Sequence, residues 1–217
     1  MGVLGACLAA PLSADAQTGS ITGTVTTKAA APRPLRVTID QRICGDELPD
    51  ESIVVGAGGA LAHAVVTLTG IKAGAAGAAP VVMNEKCRFV PRVQVVRPNV
   101  EMTTSSRDPV LHTTQAQLLD GSTLFNVALP IPGITIRRPV GSARVVRLGC
   151  NTHPWMRGWM IVTDEVAAVT GADGRFTLAG VPPGTYELRV WHETLQGAPQ
   201  KVTVAAGTTA QAAFVLQ

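Results

Sequence analysis

A chain of 217 residues with a formal net charge of +3 has neither the basic excess nor the Lys/Arg clusters that would attract nucleic acid. No apolar run approaches the roughly 18 residues needed to cross a membrane, so no transmembrane segment is expected. Hydrophobic residues make up 46% of the chain and charged residues 15%, enough for a core, while 22 glycines and 15 prolines call for many turns between short elements.

The chain begins MGVLGACLAAPLSADAQ. The stretch is apolar and small-residue-rich and ends in Ala14-Asp15-Ala16, an A-x-A cleavage pattern, so residues 1–16 are expected to be a signal peptide. The basic n-region of such a peptide is missing, so the true start is expected upstream. Export to the periplasm or the exterior follows. A lipoprotein reading, with Cys7 of LGAC as the acylated residue, and a bland Ala-rich tail are the alternatives. Exported chains keep disulfides. Of Cys7, Cys44, Cys87 and Cys150, the first leaves with the leader and the last stands in a ligand-like motif. A Cys44–Cys87 bridge is the simplest allocation of the remainder, with two buried free thiols as the alternative.

Strand signals dominate the rest of the chain. SITGTVTT sets Ile21, Gly23 and Val25 against threonines in a period-2 pattern, and LRVTI and HAVVTLTG continue it. Gly/Ala/Pro-rich joins separate them, the last being Lys72–Pro80, a loop because its glycines oppose a helix. A second group runs from Val81 to Asp164: VVMNEKCRFVPRVQVV, NVEMTTS, STLFNVAL, TIRRPV, ARVVRLGC and GWMIVTD. Six or seven short strands with regular turn signals read as a β-sandwich. In the third group Asp173-Gly174 and Pro182-Pro183-Gly184 mark tight turns, and QKVTVAAGTTAQAAFVLQ supplies two last strands. No long helical pattern occurs, so the chain is expected to be all-β.

DGRFTL followed by VPPGTYELRV resembles the second half of a carboxypeptidase regulatory-like, or transthyretin-like, domain. The first half of that family corresponds to SITGTV and HAVVTL. The resemblance implies a small sandwich split into residues 17–79 and 166–217, with a second sandwich, 80–165, inserted between the halves. Three consecutive units without nesting is the alternative.

CNTHPWM, Cys150 to Met156, holds a thiol, an imidazole and a thioether in seven residues. Such soft and borderline donors suit copper better than magnesium or calcium. A trigonal Cys–His–His site with a weak axial Met needs one more histidine. Among His63, His112, His153 and His192, the candidate is His112 in DPVLHTT, 38 residues before Cys150. Met160 competes with Met156 for the axial place, but a longer ligand loop would put Met at position 158, which is Gly158. Zinc is a rival metal, although Met is a poor zinc ligand. A buried structural cysteine with unrelated imidazoles is the bland reading. His63 is expected at a strand edge. Trp191 is expected in a core with His192 capping an interdomain contact; the alternative, if the sandwiches pack closely, is that His192 approaches the metal or its exit path.

The short C-x2-H-x2-M spacing resembles the ligand loop of the cupredoxins, amicyanin and plastocyanin among them. MNEKCRFVP, DPVLH and THPWMRGW together also resemble exported bacterial proteins that join a cupredoxin-like unit to a carboxypeptidase regulatory-like unit, some called methylamine utilisation proteins. The resemblance implies a Greek-key copper sandwich with one type 1 copper on His112, Cys150, His153 and Met156. His153 is implied to be the solvent-side ligand, with Pro154, Trp155 and Arg157 as a docking patch for a redox partner such as a dehydrogenase or cytochrome. Thr113 stands where that family has Asn bridging its ligand loops, which predicts weaker tethering. The implied activity is single-electron transfer rather than enzymatic catalysis. A non-redox carbohydrate- or protein-binding envelope module with a structural or vestigial metal is the other class of function.

Overall fold

The computed structural model describes residues 17–74 and 77–217. The leader expected at 1–16, with Cys7, lies outside the described residues.

In the first stretch, β1 (Gly19–Thr27) is followed by β2 (Leu35–Arg36), the single-turn helix α1 (Gln41–Cys44), β3 (Glu47–Leu48) and β4 (Val65–Lys72). The middle of the chain supplies β5 (Val81–Glu85), β6 (Arg88–Val90), β7 (Val93–Val96), β8 (Glu101–Ser106), β9 (His112–Leu118), β10 (Thr123–Leu129), β11 (Thr135–Pro139), β12 (Val145–Gly149) and β13 (Arg157–Val162). The last part adds β14 (Glu165–Val169), β15 (Arg175–Val181), β16 (Gly184–Trp191), β17 (Gln200–Val204) and β18 (Thr209–Leu216). The all-β expectation holds.

The strands form two sandwiches. Strands from both ends of the chain build one: sheet β15-β1-β18 faces sheet β14-β4-β16-β17. Its core includes Ile21, Val25, Leu61, Leu68, Phe176, Leu188 and Phe214. Ile21 and Val25 are fully buried on the face that the alternation assigns inward. Strands of the middle build the other: sheet β10-β9-β12-β13-β7 faces sheet β11-β8-β5-β6. Phe89, Met102, Leu148 and Met160 anchor its core. A third, smaller cluster of Val65, Val93 and Ile161 joins the two, and Trp159 and Trp191 meet across it at 5.5 Å between ring centroids.

Two local departures from the sequence pattern shape the surroundings of the CNTHPWM loop. LRVTI is not a continuous strand: pairing stops after Arg36, Asp40 turns in the left-handed region, and the chain coils into α1. Val37 and Cys44 then enter the core of the middle sandwich rather than that of their own neighbours in sequence. Second, VVMNEKCRFVPRVQVV is three strands. Lys86 and Cys87, at φ 51° and 54°, form a two-residue hairpin turn between β5 and β6. Such a turn normally takes Asn-Gly, because both central residues need positive φ. Here the Asp108 carboxylate accepts from the amides of Lys86 (2.7 Å) and Cys87 (2.8 Å), so the turn holds without glycine. Beyond β6 the chain crosses to the facing sheet, where β7 runs parallel to β13.

Candidate metal centre

Strand pairing assembles the site. β12 lies between β9 and β13, with Gly149 opposite Gln115 on one side and Arg157 on the other. The loop Cys150–Met156 is therefore the return between two adjacent strands, and His112, the first residue of β9, starts beside it. The loop is closed by the Met156 amide, which donates to the His153 carbonyl at 2.9 Å. Thr113 ties the two segments together. Its amide donates to Cys150 Sγ at 3.3 Å, and its hydroxyl accepts from the Asn151 amide at 2.7 Å while lying 3.7 Å from the sulfur. Thr113 thus links the two segments through its amide and its hydroxyl, at the place where the resembled family has Asn.

His112, Cys150 and His153 converge. Nδ1 of His112 and Nδ1 of His153 are 3.0 Å apart, and Cys150 Sγ is 4.0 Å from the first and 3.7 Å from the second. Both imidazoles are 0% exposed. Their far nitrogens are also engaged: His112 Nε2 lies 3.0 Å from Asp108 Oδ2, and His153 Nε2 lies 3.0 Å from Asp40 Oδ2. A carboxylate only accepts, so each Nε2 is the donor of its pair, and in that tautomer each Nδ1 turns a lone pair inward. Two nitrogen lone pairs face each other at 3.0 Å with a sulfur alongside. That arrangement is repulsive unless a positive charge lies among the three atoms. The edges of this triangle match what three bonds of about 2.0–2.3 Å to one ion would give. The donor set therefore fits a soft or borderline metal ion, and the carboxylate–imidazole pairs are the outer support such ligands usually have.

Burial of Cys150 pushes its thiol pKa up. Hydrogen bonding to His112, the amides of Thr113 and His153, and the Thr113 hydroxyl outweigh this and bring it from 9.0 to about 6. The sulfur is thus a thiolate at neutral pH, as metal ligation requires.

Met156 is 2% exposed and packs in the same core as Cys150. Met160 is fully buried in the middle of β13, opposite Val146, and fills the core. A side chain at position 158 would be crowded: a Cβ on Gly158 would lie 3.0 Å from the Arg92 carbonyl and 3.3 Å from Phe89 Cβ.

His192 is not brought to this cluster. Its Nδ1 accepts from the Thr194 and Leu195 amides at the junction of the sandwiches. Burial first, then the nearby His63 and Arg92 charges, lower its pKa from 6.5 to about 4. His63, at φ 64°, stands just before β4, where its charge reaches His192. Of the docking residues, Pro154 and Arg157 are exposed, while Trp155 is half-buried, its ring 5.1 Å from that of His153. The Cys44–Cys87 disulfide is present, with Cα atoms 5.4 Å apart.

The sequence reading missed Asp108 and Asp40. Asp108 was within reach as an acid four residues before a ligand candidate. Nothing local could signal Asp40, 113 residues from His153.

Fold and site together define an all-β double sandwich with a buried Cys–His–His centre at one end of the inserted strands. The family profile of the carboxypeptidase regulatory-like domain matches residues 157–217. No curated protein matches the sequence. Among solved structures, a purple cupredoxin from Nitrosopumilus maritimus is similar at 20% identity and TM-score 0.34, covering 39% of this chain and 99% of that one. Amicyanin from Paracoccus versutus is similar at 17% identity and TM-score 0.36, covering 45% and 97%.

Proposed function

We propose that the protein is an exported type 1 copper protein that carries single electrons between redox partners. Residues 80–165 form the copper-bearing sandwich, inserted between the two halves, 17–79 and 166–217, of a carboxypeptidase regulatory-like sandwich. His112, Cys150 and His153 are the strong ligands, with Met156 as the weak axial one. One observation carries the reading: two inward-facing imidazole lone pairs and a thiolate within 3.0–4.0 Å of one another, each ring fixed from behind by a carboxylate. Copper supplies the one-electron couple when bound. The protein holds the imidazole tautomers, excludes water and, with four fixed donors, leaves little room for a substrate.

The test is optical. One equivalent of Cu(II) added to the mature chain is expected to give an intense blue or purple thiolate-to-copper band, and Cys150→Ser is expected to abolish it. A colourless protein that retains zinc in preference would end this reading. A second reading, a metal of structural use in a binding module of the cell envelope, is favoured by the complete burial of His153. Cupredoxin-like transfer would use that edge. Measured electron exchange with a small cytochrome separates the two, and a partner surface would then lie over Pro154, Arg157 and the segment that covers His153.

A further inference from the structure

The element that buries His153 comes from the first stretch of the chain and is tied down at one place. Asp40 is held at φ 54°, a conformation a non-glycine residue keeps when its surroundings impose it. Its carboxylate meets His153 Nε2, its carbonyl accepts from the Ile43 and Cys44 amides at 2.9 Å, and Cys44 is bonded to Cys87. Both sulfurs of that disulfide and a ring nitrogen of His153 lie within 4.8 Å of one another. Cys87 Sγ stands in the same relation to Asp108 and His112. One covalent bond therefore supports both carboxylates: Cys87 donates its amide to Asp108, and Cys44 is the fourth residue after Asp40. Other attachments of the segment are slight. Its strands β2 and β3 have two residues each, Val37 and Cys44 are its buried apolar side chains, and Ile39 and Ile43 are 45% and 42% exposed. A segment with so few buried contacts opens at low free energy once released.

We propose that residues 37–46 are a cap over the His153 side of the centre and that the Cys44–Cys87 disulfide is its latch. Metal enters and leaves when the latch is reduced and is retained when it is oxidised. The proposal rests on the reading that His112, Cys150 and His153 bind a metal. Opening takes two electrons and two protons from a dithiol reductant: the Cys44–Cys87 bond breaks, two thiols form, and the reductant leaves as its own disulfide. The freed thiols lie beside His153 as additional soft donors for the incoming ion. Asp40 is a positioning residue, acting on the metal through His153.

Two measurements test this. In metal-free protein, carbethoxylation of His153 by diethyl pyrocarbonate is followed by peptide mass spectrometry. His153 is expected to be protected in the oxidised protein. It should react at least about tenfold faster after phosphine reduction and desalting, and in the Cys44→Ser/Cys87→Ser variant. Extraction of bound zinc by a chelator, where no copper redox chemistry intervenes, is expected to accelerate about tenfold or more in the same variant. Asp40→Asn, which keeps the disulfide and the core, is expected to weaken zinc binding about 10- to 100-fold. If the double variant does not fold, reduced wild type and Asp40→Asn stand in for it. Modification and extraction rates unchanged within twofold overturn the cap. A wild type that binds no metal, yet exposes His153 on reduction, removes the metal reading and leaves the cap standing.

Discussion

Replacing Asp108 by Asn tests the support of the centre without touching a ligand. Asp108 is almost fully buried and accepts three hydrogen bonds: from the Lys86 amide at 2.7 Å, the Cys87 amide at 2.8 Å and His112 Nε2 at 3.0 Å. An Asn at this position offers one accepting oxygen. If that oxygen serves Cys87 and His112, the new NH2 group opposes the Lys86 N–H. If it serves Lys86, the NH2 group opposes two donors. The first arrangement is the cheaper and still leaves a turn amide unpaired in a hairpin that lacks glycine. A hydrogen bond to a charged acceptor is worth about 1.5–3 kcal/mol, and a buried donor left unmade costs about 1–3 kcal/mol. We expect Asp108→Asn to lose about 2–4 kcal/mol in urea unfolding of the metal-free protein. Metal affinity should fall about 10- to 100-fold, because the ring loses its anionic partner. The zinc-titrated variant separates the two effects, since a purely structural defect would leave affinity unchanged in the folded fraction. A loss below about 1 kcal/mol with unchanged affinity would refute the carboxylate's double role.

The junction histidine gives a pH dependence with a definite sign. His192 is neutral in the folded state because its pKa falls from 6.5 to about 4, so acid protonates the unfolded chain first. Stability is expected to decline as pH drops from about 6.5 to about 4, by at most on the order of 3 kcal/mol. His192→Asn, whose Oδ1 can replace Nδ1 as acceptor for the Thr194 and Leu195 amides, should flatten that decline, and chemical denaturation at several pH values reads it. Gly158→Met is expected to fail as a graft of a longer loop, destabilising the fold because its Cβ would crowd the Arg92 carbonyl at 3.0 Å and Phe89 at 3.3 Å. A well-folded variant seen by circular dichroism at wild-type melting temperature would contradict this. Removing the disulfide, which spans 43 residues, should cost about 4 kcal/mol by the chain-entropy account, measured as the difference between oxidised and reduced unfolding midpoints.

Most strands were legible because one face is core and the other is not. Ile21 and Val25 are buried as the alternation requires, and Phe176 and Leu178 repeat the pattern in β15. The meeting of Cys150 and His153 was legible from their spacing, since both are local to one turn. His112 was reachable because few histidines compete for the role, and its strand register then places it. What failed to show in the sequence depends on contacts between distant segments. LRVTI has a strand's composition, yet its continuation follows Cys44 toward Cys87 in another sandwich. The Lys86-Cys87 turn has no turn residues, because its acceptor, Asp108, lies 21 to 22 positions away. His153 resembles a surface ligand until Asp40 is placed over it.

The two sandwiches touch where the Cys150–Met156 loop ends. Arg92, between β6 and β7, donates Nη1 to the carbonyl of Arg157, the residue directly after Met156, at 2.9 Å. Its own carbonyl accepts from the Trp159 amide at 2.7 Å. The same guanidinium is held by Glu193, just beyond β16 of the other sandwich, with Nε to Oε1 at 3.2 Å and both side chains buried. A buried pair of this kind adds little net stability over an apolar replacement, but losing one member leaves an uncompensated charge. Its value here is therefore positional: the guanidinium, fixed from the far side by Glu193, holds the Arg157 carbonyl where β13 begins. The sandwich built from both ends of the chain thus braces, through Glu193 and Arg92, the exit of the Cys150–Met156 loop.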